Sequence, residues 1–92
     1  MTPKSQSLRV YMQASVVNGK IPKYYHLILH QDMLSGWTLV REWGMQGSSG
    51  RVMRNHYPDY AEAELALLRI RDIQIQRGYQ VVFLEGSKQL ME

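Results

Sequence analysis

Trp37 to Tyr57 reads WTLVREWGMQGSSGRVMRNHY. Two stretches with the extended, branched and aromatic character of strands flank a glycine- and serine-rich stretch, and such segments pair as a hairpin with the flexible part as its tip. If Arg51 to Tyr57 returns beside Trp37 to Trp43, the sheet grows by local pairing, and the neighbouring segments can be read outward from there. Upstream, Lys23 to Gln31 (KYYHLILHQ) alternates Tyr25, Leu27 and Leu29 with Tyr24, His26, Ile28 and His30, which suits a strand. Asp32 to Gly36 supplies turn residues between the two. Further back, Leu8 to Val17 places Leu8, Val10, Met12, Ala14 and Val16 on one side of a period-two pattern. Asn18-Gly19 then turns the chain, with Lys20-Ile21-Pro22 lengthening the connection.

Downstream, Asp59 is a good N-cap and Glu62 follows three residues later, as in a capping box. The helix is expected to run to Arg77 and to end at Gly78, where a left-handed residue costs nothing without a Cβ. Ala63, Ala66, Leu67, Ile70 and Ile73 share one face at 100° per residue, and that face is assigned to the sheet. Leu65, Leu68 and Ile75 point elsewhere; two uses are open for them, packing under the C-terminal segment or a dimer or partner contact. Gln80 to Leu84 (QVVFL) is a further short strand or extended segment. These elements define an α+β fold, an antiparallel sheet of four or more strands with one long helix packed on one face. One domain over 1–92 is expected, with its core at about 8–84 and flexible ends at 1–6 and 87–92.

Composition narrows the function. The 92 residues carry 45% hydrophobic and 21% charged residues, which fits an ordered globular chain. The formal charge is +3, and the excess cations lie in the first two-thirds: Lys4, Arg9, Lys20 and Lys23, then Arg41, Arg51 and Arg54. From Pro58 on, acids outnumber bases. The absence of cysteine excludes disulfides, thiolate metal sites and a cysteine nucleophile. No segment has the apolar length of a signal peptide or a membrane helix, so a cytoplasmic, membrane-free protein is expected.

The stretch WTLVREWGMQGSSGRV, followed by the acid-capped helix and closing on Arg77-Gly78-Tyr79, resembles a WGR domain, named for a Trp-Gly-Arg triplet. Trp43 and Gly44 match the first two positions, Gly47 matches the glycine beyond the triplet, and Gly50-Arg51 begins the returning strand. Met45 stands where the family has arginine. WGR domains occur in DNA-dependent poly(ADP-ribose) polymerases and in small bacterial proteins, and in the polymerases the tryptophan meets DNA near a strand break. The resemblance implies a non-catalytic nucleic-acid-binding module with DNA favoured over RNA. Trp43 would be the contact residue, with Gly44 and Gly47 allowing close approach. Met45 lacks the charge and forked donors of an arginine; Arg41, Arg51 or Arg54 would have to substitute.

The residues support the same reading without the family. An indole stacks on a sugar or unpaired base while nearby arginines attract phosphate. Stacking is worth about 1–3 kcal/mol per base, so several phosphate contacts must share the load and binding should be micromolar and salt-sensitive. The competing use of Trp43 is to cover the end of the sheet, and that of the arginines is an ordinary solvated surface. The alternative function is a protein-interaction or homodimer module built on Leu65, Leu68 and Ile75. Tyr24, Tyr25 and Tyr57 suit either a stacking platform or cross-strand packing. His26 and His30, four residues apart on a strand, lie roughly 13 Å from each other and do not easily share a metal. Ser48 and Ser49 have no carboxylate-oriented histidine beside them, and the glycine spacing lacks the Gly-Lys-Ser/Thr ending of a P-loop. No enzyme, cofactor or metal is expected.

Overall fold

The computed structural model describes residues 7–14, 21–33 and 35–86. Five strands and one helix follow in the order β1 (Leu8–Ala14), β2 (Lys23–Gln31), β3 (Trp37–Met45), β4 (Arg51–Tyr57), α1 (Tyr60–Gln76) and β5 (Tyr79–Glu85). The expected turn at Asn18-Gly19, the continuation of the first strand to Val17 and the two chain ends lie outside the described residues.

The sheet is antiparallel throughout, with spatial order β4-β3-β2-β1-β5. Strands β1 to β4 form a meander. After β4, α1 carries the chain across the sheet so that β5 joins the opposite edge, beside β1. The segment read as strand or extended chain is therefore a fifth strand, and the α+β architecture is the expected one.

Alternation decides which residues the helix covers. Leu8, Val10 and Met12 on β1, Tyr25, Leu27 and Leu29 on β2, and Leu39 on β3 form the core with Ala63 and Leu67 of α1. Fully burying a leucine-sized side chain is worth about 1.5–3 kcal/mol, and Leu8, Leu27, Leu29, Leu39 and Leu67 are all fully enclosed. Trp37 closes one side of this core, edge-on to Tyr60 at 4.8 Å.

Local chemistry fixes the connections. At the β2–β3 turn, Asp32 Oδ1 accepts the Gly36 N–H at 3.0 Å and Oδ2 accepts the Thr38 hydroxyl at 3.2 Å. His56 Nδ1 lies 2.7 Å from the same Oδ2, tying the end of β4 to this turn. Asp59 caps α1 by accepting the Glu62 N–H at 3.0 Å. At the other end, the Arg77 and Gly78 amides bond back to carbonyls of the last turn, with Gly78 at φ +102°.

The expected inward face holds for Ala63, Leu67, Ala66 and Ile70, the last two partly buried against the core, and departs at its end, where Gln74, 7% exposed, turns inward while Ile73 is 47% exposed. At 100° per residue Gln74 falls on the midline between Ala63 and Leu67, and Ile73 lies about 100° round from it. The second stripe also divides: Leu68 packs against the core, whereas Leu65 and Ile75 are exposed.

Candidate nucleic-acid interface

Trp43 and Gly44 lie within β3, and the glycine-rich tip begins at Gln46. The indole is therefore not at the lip of the loop. Its strand register, opposite Tyr25 and Arg51, points it to the helix side of the sheet. There it is half-buried and stacks on Tyr25, with ring centroids 5.4 Å apart and planes 8° from parallel. Tyr79 meets the other ring of the pair edge-on, 5.9 Å from Tyr25.

These aromatics form one wall of a cavity of about 720 Å³ between the last two turns of α1 and the end of the sheet. Lys23, Arg41, Trp43 and Met53 contribute from the sheet, and Ile70, Ile73, Gln74 and Arg77 from the helix. The ionic groups lining it among the described residues are three cations, Lys23, Arg41 and Arg77, with no carboxylate. Arg41 is half-buried; its Nε is shut off from solvent and has no hydrogen-bond partner. Its Nη2 meets the Met53 Sδ at 2.7 Å, a weak acceptor for a guanidinium. Burial and then the neighbouring Tyr25 push the Tyr79 hydroxyl above its ordinary pKa, against a smaller opposing effect of Arg77. It remains a neutral donor at physiological pH.

The other arginines separate. Arg51 shares the face of Trp43 as its cross-strand partner, whereas Arg54 pairs with Val40 and projects from the opposite face. Met45 is exposed at the end of β3, on the face of Trp43 and opposite Lys23. The glycines have local reasons: a Cβ on Gly44 would come within 2.9 Å of the Gly50 Cα, and Gly47 adopts φ +84° in the turn. The tip is anchored at its first residue, since the Gln46 N–H donates to the Pro22 carbonyl at 2.9 Å and its side chain donates to the Tyr11 hydroxyl at 2.6 Å.

The three tyrosines considered for a platform divide between the two faces. Tyr25 and Tyr57 pack on the helix side, while Tyr24 stacks with Tyr11 on the open side and donates to Glu42 at 3.0 Å. His26 also lies on the open side, edge-on to Tyr11. No group of three or more His, Asp or Glu side chains is placed to hold a metal among the described residues. Sequence reading missed Lys23, Tyr79, Gln74 and Arg77. Lys23 was visible only as part of the basic excess, and the signal for Gln74 was its position on the helix midline.

The described residues thus form a small α+β domain with an aromatic recess lined by three cations. The sequence pattern of the WGR domain family matches residues 8–83, and the chain belongs to that family. WGR domains are in general nucleic-acid-binding modules, small and typically non-catalytic. The chain is also 25% identical over 76 residues to the uncharacterized protein y4dW of Sinorhizobium fredii (strain NBRC 101917 / NGR234). That match covers 83% of this chain and 37% of the relative, so the chain spans well under half of that protein. No solved structure matches this chain significantly. No helix among the described residues is long and apolar enough to cross a membrane.

Proposed function

We propose that this chain is a non-catalytic module that binds DNA at ends or breaks, with Trp43 as the stacking residue and Arg41 and Arg51 as phosphate contacts. The carrying observation is Arg41, a half-buried guanidinium with an unpartnered Nε beside Trp43, in a cavity whose lining charges are all positive. A half-buried cation without a carboxylate is costly; the enclosed Nε stays out of reach, and an incoming phosphate oxygen would pair with the outer Nη groups. Arg54, on the opposite face, would act only as long-range attraction. Gly44 faces the side of the sheet away from Trp43, toward Tyr24 and Gly50, so its part would be backbone room at the strand end, and Gly47 would leave the tip without a side chain.

Tryptophan fluorescence tests this during titration with nicked, blunt and single-stranded oligonucleotides, DNA and RNA, at low and moderate salt. Trp37→Phe leaves Trp43 as the single reporter. The expected result is salt-sensitive binding that Trp43→Ala weakens; binding indifferent to both salt and Trp43→Ala refutes the reading. The second reading, a homodimer or protein contact through the helix flank, rests on the exposure of Leu65 and Ile75, with Leu68 partly committed to the core. Light scattering showing a dimer lost in Leu65→Asp would favour it.

A further inference from the structure

The inward stripe of α1 runs Ala63, Leu67, Ile70 and then Gln74, an amide where packing alone calls for another aliphatic residue. Isoleucines stand on both sides of it in sequence, at 73 and 75, and both are exposed. Gln74 as a residue is buried, yet its side chain makes no hydrogen bond among the described residues. Neither of its amide atoms is closed off from solvent, since the fully enclosed unpartnered side-chain atoms belong to Arg41 and Tyr60. The amide therefore opens on the cavity that Trp43 lines from the sheet. There the amide offers both a donor and an acceptor to a ligand that carries the complementary pair.

The size of the cavity leaves room for more than a phosphate. About 720 Å³ lies in the range of small-molecule sites and far exceeds what a phosphate group fills. The aromatic wall of Trp43, Tyr25 and Tyr79 suits a flat heteroaromatic ring, the cations Lys23, Arg41 and Arg77 suit the phosphate attached to it, and the amide suits a base edge. A paired base has its Watson–Crick edge already occupied, so only an unpaired one presents that edge freely.

Resting on the nucleic-acid reading above, we infer that the cavity receives the base of an unpaired nucleotide at a strand end and that Gln74 is the residue that discriminates between bases. Trp43 and the cations supply affinity common to all sequences, and Gln74 adds a preference among them. Gln74 is thus a specificity-determining residue, carried by the helix rather than by the tryptophan strand.

The test uses the whole chain and short DNA duplexes bearing one unpaired terminal nucleotide, which is A, C, G, T or abasic, in competition anisotropy at fixed salt. The wild type is expected to separate its best from its worst base by about fivefold or more and to lose about as much on the abasic end, as one good amide–base pair implies. Gln74→Leu should bring all four bases within about twofold while the salt dependence and the effect of Trp43→Ala remain. Equal wild-type binding of abasic and base-bearing ends overturns the inference, as does a base ranking that survives Gln74→Leu. Both results leave the nucleic-acid reading standing. Absence of salt-sensitive binding to any of these duplexes overturns both. Gln74→Met serves where Gln74→Leu fails to fold, and the abasic comparison needs no variant.

Discussion

Replacing Arg41 by methionine should move stability and binding in opposite directions. Arg41 sits on β3 between Leu27 and Met53, so a methionine retains the aliphatic stem that packs against these neighbours. What it removes is a guanidinium whose Nε is enclosed without an acceptor and whose Nη2 meets a thioether sulfur. An enclosed, unpaired donor costs about 1–3 kcal/mol, and an apolar replacement of similar shape recovers part of it. A net gain of about 1 kcal/mol would raise the Tm by about 4–8 °C in a domain of this size. The charge-assisted bond to phosphate is worth about 1.5–3 kcal/mol, so affinity should fall by roughly one to two orders of magnitude. The slope of log K against log salt should become shallower by about 0.9 on duplex DNA. Differential scanning calorimetry and anisotropy titrations at several salt concentrations measure the two effects independently. A lowered Tm together with unchanged affinity would refute the reasoning, because Arg41 would then be a structural residue with a partner of its own.

Met45→Arg places a cation beside Trp43 and opposite Lys23, at the position where the family has arginine; affinity should rise and the duplex salt slope steepen by about 0.9, read by the same titrations, and no change in either would put the contact elsewhere. Tyr60 carries an enclosed hydroxyl with no partner, while its ring packs edge-on against Trp37. Tyr60→Phe should therefore leave stability unchanged or raise it by about 1 kcal/mol in urea unfolding, and a loss of that size would show that the hydroxyl is bonded. The His26 pKa is held below its ordinary 6.5 by burial and then by Arg9, against an opposing pull from Glu42. The unfolded chain takes up a proton that the folded chain resists, so this contribution is complete above pH 6.5 and is lost as pH falls toward the folded value. His26→Gln should flatten that part of the stability profile; an unaltered profile between wild type and variant would contradict it.

Much of the fold was legible because its signals are local. Lys23–Gln31, read from its alternation, and Arg51–Tyr57, read as the returning arm of a hairpin, are strands with the expected bounds, and Asp59, Glu62 and Gly78 mark a helix whose ends depend on neighbouring residues alone. Hydrophobicity favours Ile73 on the inward face of the helix, but Gln74 lies closer to the line through Ala63 and Leu67 and takes that place. At the site, Trp43 and Arg41 were visible as residue types. Their meeting with Lys23, Arg77 and Tyr79 was not, since those residues come from β2, the helix end and β5.

The amino-acid order alone therefore determined the elements, the alternation that puts Trp43 and Arg41 on one face, and the family signature in the Trp-Gly strand. Register and the crossing of α1 decided the rest: the stacking of Trp43 on Tyr25, the projection of Arg54 to the far side, and the joining of β5 to β1. Local preferences are set by a residue and its near neighbours, whereas a cavity exists only where segments distant in the chain are brought together and fail to fill the space between them.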